Sequence, residues 1–436
     1  MRICASLDSY EEKDKVSKAD MVEVRTDLLN NVPDIPDREM IVTYRGDIDL
    51  SILPEGFKGM IDVGEQDIPS TILKVISSYH NFDRTPESSE ILSILNSMKG
   101  DISKGAFMVN SFTDLHSIHT AATSMEKEHV VLGMGDMGTI ARIRQDILGN
   151  AFTFAYIERP TAPGQLDLDT MYSLKNDCMI TGLVGHPLSK SLSPNMHNVA
   201  FSKSGIDGIY LKFDTMDLEH IEDVIREYDV RGINVTLPHK TSIIGHLDRI
   251  DTDAEHIGAV NTVVNDSGRL TGYNTDIDGI DIALQKAGFD PKDKKALIMG
   301  YGGAAKACTY FLMKNGCDVT ITGRDQRRGE RMSKEMGCEF VSRDPDDIDH
   351  YDLIVNCTPI GMYEDAEYPI DLRKMTSKHT IFDMIYNIET PFIKRARSLA
   401  APIACGENML AGQGSTSFKL WTGFDNGFDI MRGALL

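Results

Sequence analysis

Short apolar runs recur along the first 175 or so residues, each separated from the next by a polar connector. They fall at Arg2–Leu7, Met21–Arg25, Met40–Arg45, Met60–Val63, Val75–Tyr79, Gly105–Val109, Val130–Gly133 and Phe152–Tyr156. Eight runs of the kind that parallel strands show predict a (β/α)8 barrel. Such a barrel ordinarily takes about 250 residues, so this one is trimmed. The trimming is visible where only loops join Arg25 to Met40 and Arg45 to Met60. Helical patterns are clear at Thr113–Glu128 and Leu168–Lys175.

At Asn176–Cys178 the pattern restarts with a strand over Met179–Val184. No Pro/Gly/Ser-rich linker precedes it. β/α alternation continues to about Asn274. A strand at Lys295–Met299, a glycine-rich turn, a helix and a strand at Asp318–Thr322 then predict the start of a Rossmann unit. The whole chain therefore reads as α/β.

Composition narrows the functions. The 436 residues carry a net charge of −21. No run of five or more Lys/Arg appears, so nucleic acid and anionic membranes are not expected as partners. No apolar run approaches a membrane span of about 18 residues, and the N-terminus has no signal-peptide layout. The seven cysteines are scattered without a CxxC pair, which predicts a reduced, cytoplasmic chain with no metal. Homodimerisation is left open.

The sharpest chemical signal is ALIMGYGGAAKACTYFL. Its strand runs into Gly300, Gly302 and Gly303, followed by Ala304 at the helix start. Such a turn lets a pyrophosphate reach the helix N-terminus. The next strand ends at Arg324, with Arg328 just beyond, and this basic cluster suits the 2′-phosphate of NADP(H). Asp325, between them, opposes a phosphate by charge. Upstream, SKSLSPNMHN, INVTLPHK, GAVNTV and YNTD each follow an apolar strand, where α/β active sites lie.

Together with FDMIYN, VNCTPIGM and MLAGQGSTSF, these motifs resemble the shikimate dehydrogenases from about Met179 onward. The resemblance implies a catalytic Lys240–Asp276 pair. It implies substrate contacts from Ser191, Ser193, Thr236, Asn261, Tyr386 and Gln413, and places Thr358 in the nicotinamide-side loop. A lysine beside a carboxylate can supply the proton that an alkoxide needs when a carbonyl accepts hydride. The implied layout is a substrate-binding domain at 178–277, completed by about 406–436, and a Rossmann NADP-binding domain at 278–405.

In the first half, ionisable residues gather at strand C-ends, where barrel enzymes work. Lys104 stands in ISKGAFMV with Ile102 and Ala106 at period two. Spacing alone allows it to reach solvent, or to enter the barrel as a desolvated nucleophile for carbonyls. The ordered set EVRTD, YRG, SYHNFDRTP, ISKGAFMV, GMGxxGxxAR and TAPGQ resembles type I 3-dehydroquinate dehydratases over residues 1–176. This implies an imine on Lys104 and an acid/base at His80. It also implies substrate binding by Ser6, Glu23, Arg25, Arg45, Arg142, Thr161 and Gln165. Where that family carries an acid that orients the histidine, this chain has Gly64.

The expectation is thus a bifunctional enzyme that converts 3-dehydroquinate to 3-dehydroshikimate and then to shikimate with NADPH. The alternative is a quinate/shikimate dehydrogenase with a degenerate, non-catalytic barrel as scaffold.

Overall fold

The computed structural model describes residues 1–436 except 30, 36, 344, 346 and 363–366. Its first eight strands are β1 (Ile3–Leu7), β2 (Met21–Arg25), β3 (Glu39–Thr43), β4 (Met60–Asp62), β5 (Lys74–Asn81), β6 (Ile102–Met108), β7 (His129–Met134) and β8 (Thr153–Tyr156). They form one sheet in the order β7-β6-β5-β4-β3-β2-β1-β8, each pair parallel. Each lies within three residues of an apolar run in the sequence.

The segment just before β8 bonds back to β7, through Ala151 N–H to His129 O (2.9 Å) and through the Asn150 side chain. The Asn150 amide donates to Val131 O (2.8 Å) and accepts from Val131 N–H (2.7 Å), as a neighbouring strand would. Helices α1 (Ser88–Ser97), α2 (Phe112–Thr123), α3 (Gly135–Ile143) and α4 (Leu168–Ser173) cover parts of the outside. Among the described residues, only a 3-10 turn at Leu50–Ile52 interrupts the two predicted loops, so the trimmed barrel is as expected. The helix predicted over Thr113–Glu128 ends early, at Thr123. Ser111 starts it with a capping box closed by Asp114.

The chain continues through β9 (Met179–Gly185), α5 (Ser193–Ser204), β10 (Gly208–Asp214), α6 (Ile221–Glu227) and β11 (Val230–Val235). Then come β12 (Arg249–Ile250), α7 (Thr252–Ile257), β13 (Thr262–Asp266), β14 (Arg269–Tyr273) and α8 (Asp276–Lys286). The Rossmann part holds β15 (Lys295–Met299), α9 (Gly303–Lys314), β16 (Asp318–Thr322), α10 (Gln326–Met336), β17 (Glu339–Phe340), β18 (Leu353–Asn356), β19 (Thr380–Asp383), α11 (Pro391–Ser398) and β20 (Ile403–Cys405). Helices α12 (Gly406–Thr422) and α13 (Gly427–Gly433) end the chain.

Two compact units result: residues 1–189 with 207–231, and residues 190–206 with 232–436. In the first, the barrel is continuous with the parallel pair β9–β10 and with α6. Arg144, 3% exposed, follows α3 and fastens these parts. Its guanidinium donates to the carbonyls of Asn176 (2.5 Å), Cys178 (3.0 Å), Tyr228 (3.0 Å) and Asp229 (3.2 Å).

In the second unit, β11 and β14 both pair antiparallel with β13. The Rossmann sheet runs β17-β16-β15-β18-β19-β20, all parallel. The strand order reverses between β15 and β18, which opens the crevice where such sheets bind ligands. No helix among the described residues is long and apolar enough to cross a membrane.

Candidate active sites

Lys104 lies on β6 and is 4% exposed, so the inward orientation is the one adopted. Its Nζ is 3.0 Å from Asp62 Oδ2, 3.8 Å from Glu23 Oε1, and 4.3 Å from the centre of the Phe154 ring. It faces a cavity of about 540 Å³, to which Glu23, Arg25, Arg45, His80, Arg142, Thr161 and Gln165 also contribute. Seven residues placed there by sequence therefore converge with Lys104. Ser6 is not among the lining residues. It lies beneath them, 1% exposed, and its hydroxyl donates to Glu23 Oε2 (2.6 Å) while Thr43 donates to Oε1 (2.8 Å). Glu23 is thereby fixed from both sides.

Asp62, at the end of β4, is the residue that sequence reading left out. It is fully buried and accepts from Ser78 Oγ (2.7 Å), Gly64 N–H (3.0 Å) and Lys104. Burial pushes its carboxyl up, but Lys104 and these donors outweigh it and hold the group below its ordinary value. The available signal was an acid at a strand C-end. Gly64 has φ +63°, a left-handed conformation that side chains with a β-carbon resist.

His80 instead meets Arg45, whose two terminal nitrogens lie 3.4 Å from Nδ1 and 3.2 Å from Nε2. Burial, Lys104 and Arg45 together push the imidazole down to about 3. Arg142 is 1% exposed, with burial pulling its guanidinium down to about 10. It has one long bond to Pro163 O (3.4 Å), and its Nε has no protein partner. A buried guanidinium so poorly paired suits an anionic ligand. Arg25 is chelated by Asp27, and the Gln165 carbonyl accepts from Thr161 and Ala162.

The second unit holds a cavity of about 530 Å³, lined by Thr236, Lys240, the Gly300–Ala304 turn, Arg324, Arg328 and Thr358. Lys240 pairs with Asp276 at the start of α8. Asp276 is 5% exposed and accepts from Asn261 Nδ2 (2.8 Å). Asn261 Oδ1 in turn accepts from Thr275 N–H (2.7 Å) and from the hydroxyls of Thr262 and Thr275. Asn261 is expected from the sequence to touch substrate, and here it also aims the carboxylate at Lys240. Ser417 on α12 extends this network through Thr262, Thr275 and Asn234.

The Thr358 loop is tied down from below. Asn356 Oδ1 accepts from the Thr358 N–H and hydroxyl, and Asn356 Nδ2 donates to Asp383, which Thr390 also bonds. Ser191 accepts from Ser193 N–H at the start of α5 (3.3 Å). Gln413 lies on α12, 9% exposed, and donates to Leu410 O. Tyr386 follows β19, and burial pushes its phenol up.

Asp325 also borders the cavity, and it caps α10, its carboxylate accepting from Arg328 N–H (3.1 Å). Arg324 and Arg328 line the cavity beside the glycine turn. This donor set fits a dinucleotide with a phosphorylated ribose.

Residues 47–176 match the type I 3-dehydroquinase family, and residues 183–263 match the shikimate dehydrogenase substrate binding domain. The shikimate dehydrogenase (NADP(+)) of Methanocaldococcus jannaschii is 38% identical over 272 residues, covering 59% of this chain and 96% of that protein. A crystal structure of a shikimate dehydrogenase in complex with NADP+ aligns with a TM-score of 0.58 at 37% identity, over 60% of this chain and 96% of that one. The structure of a dehydroquinate dehydratase and shikimate dehydrogenase from S. pombe shares the fold over 100% of this chain and 98% of its own, with a TM-score of 0.51 at 22% identity. The chain belongs to the shikimate dehydrogenase family and carries a type I 3-dehydroquinase domain ahead of it.

Proposed function

We propose that the chain catalyses two consecutive steps of aromatic amino acid biosynthesis, with the dehydratase at 1–176. The dehydrogenase comprises a substrate-binding domain at 178–277, completed by 406–436, and an NADP-binding domain at 278–405. The observation that carries the reading is a lysine paired with a carboxylate facing each of the two cavities. The seven cysteines are all free, which suits the cytoplasm.

In the barrel, the Lys104 amine attacks the ketone of 3-dehydroquinate and water leaves, forming an imine. Withdrawal of electrons into the imine lets the adjacent carbon lose its proton, and the neighbouring hydroxyl departs as water. Hydrolysis then frees 3-dehydroshikimate and the amine. His80 moves the protons, and Arg142, Arg25 and Arg45 grip the carboxylate and hydroxyls. Asp62 and Glu23 hold the amine at the cavity wall.

In the second unit, NADPH held by the Gly300–Ala304 turn, Arg324 and Arg328 would supply hydride to the ketone of 3-dehydroshikimate. Lys240 gives the proton to the carbonyl oxygen, and Asp276, aimed by Asn261, keeps the lysine in place. Ser191, Ser193, Thr236, Tyr386 and Gln413 hold the substrate, while Arg324 and Arg328 select the phosphorylated cofactor.

Borohydride trapping with 3-dehydroquinate tests the first half. A covalent adduct is expected on Lys104, together with loss of at least 10³-fold in dehydratase kcat for Lys104→Ala. Retention of full dehydratase activity in Lys104→Ala would overturn the imine mechanism and favour a scaffold barrel.

A further inference from the structure

Away from both cavities, α2 and α6 of the first unit face one another across a cluster of five ionisable side chains. His116 and His119 are one turn apart on α2. His220, Asp223 and Glu227 repeat at helical spacing along α6, with His220 at its N-cap. The His116 and His220 rings stack with centres 4.4 Å apart and planes 4° from parallel. Glu227 Oε1 is 2.8 Å from His116 Nδ1 and 3.5 Å from His119 Nδ1, and Asp223 Oδ2 is 2.8 Å from His220 Nδ1. His220 has φ +63°, an uncommon backbone for a residue with a β-carbon.

One nitrogen from each of His116 and His220 and one oxygen of Asp223 lie within 4.8 Å of one another. The second oxygen of Glu227 is buried and has no hydrogen-bond partner. Hydrogen bonding alone therefore leaves the cluster incomplete, since a buried carboxylate oxygen is normally satisfied. The side chains of His116, His220 and Asp223 are 31%, 34% and 43% exposed, which leaves them room to adjust.

We propose that His116, His220 and Asp223 bind a divalent transition-metal ion of the zinc class, with Glu227 as the carboxylate that orients His116. Two imidazoles and a carboxylate suit zinc and its neighbours, whereas magnesium and calcium favour all-oxygen sites. Bonds of about 2.1 Å require the His116 and His220 rings and the Asp223 carboxylate to readjust as the ion enters, and their partial exposure permits it. A carboxylate held against a ligating histidine fixes its tautomer and its aim. The ion would clamp α2 to α6, joining the outside of the barrel to the segment that follows it.

The test uses the full, tag-free chain after chelator dialysis, titrated with Co²⁺ and Zn²⁺. One ion per chain is expected, with visible absorption for cobalt and a melting temperature raised by several degrees under excess zinc. His116→Gln, His220→Asn and Asp223→Asn should each weaken binding at least tenfold. Dehydratase and dehydrogenase rates should be unchanged and report the fold. Asp223→Asn, half-exposed, keeps the test valid if a histidine variant unfolds. No uptake by the unaltered chain up to about 1 mM metal would overturn the proposal. So would undiminished uptake by His116→Gln/His220→Asn.

Discussion

At the residue scale, His80 is governed by burial and by cations. Its imidazole is largely withdrawn from water, lies in the field of Lys104 and beside Arg45, and is pushed down to about 3. A depressed pKa leaves the neutral base in place as pH falls from 7 toward 4. The pH profile of dehydratase kcat/KM should therefore show no acidic limb near 6.5 from this histidine. An NMR titration of the ligand-free protein should find it neutral at pH 5. An imidazole that titrates near 6.5 would contradict the geometry.

Single residues also govern the cofactor cluster. Asp325→Ala should cost about 1 kcal/mol of stability by uncapping α10. It should leave the preference for NADPH over NADH intact, because that carboxylate is already committed to Arg328 N–H. Arg324→Ala should raise KM for NADPH far more than for NADH. Denaturant unfolding and steady-state kinetics with the two cofactors check both statements.

At the scale of elements, the dehydrogenase pair depends on a close helix crossing. A β-carbon on Gly279 of α8 would lie 2.4 Å from Met409 O and 3.0 Å from Gln413 N, and one on Gly412 of α12 would lie 2.9 Å from Gly279 Cα. The two helices touch backbone to backbone, and so fix Asp276 on α8 relative to Gln413 on α12. Gly279→Ala should force them apart, costing about 1–3 kcal/mol and lowering dehydrogenase kcat/KM at least tenfold. Dehydratase kinetics on the same sample should be unaltered. Equal loss of both activities would point to general unfolding instead.

Elements also show what the sequence made legible. Strands of a parallel sheet are buried on both faces and read as apolar runs, so all eight barrel strands were visible. Helix α3 was not, because GDMGTIAR carries glycines that serve close packing, Gly138 lying against Gly133. The site residues were legible wherever a motif is contiguous. Asp62 was missed because its partners Ser78 and Lys104 come from other strands. The histidine cluster was invisible for the same reason: its two halves are more than 100 residues apart and meet only through the packing of α2 on α6.

At the scale of the molecule, an acidic chain of net charge −21 collects three arginines and a lysine around one cavity. The repulsion an anionic substrate meets at long range is screened within about 8 Å at physiological salt, whereas the cavity's arginines act at contact. Substrate capture therefore rests on the cavity itself rather than on the field of the whole protein.

Arg144 bears on the history open to such a chain. Three of its four carbonyl acceptors, those of Cys178, Tyr228 and Asp229, lie beyond residue 176. A gene cut at that point would remove three of the four acceptors together with the residues that pack over the guanidinium. A chain ending at residue 176 should melt well below the temperature at which the intact protein loses dehydratase activity. Equal values would show that the stitch is dispensable. Joining two genes is a single event, but parting them again would require re-solvating or replacing this one arginine first. The fusion is in that sense a ratchet.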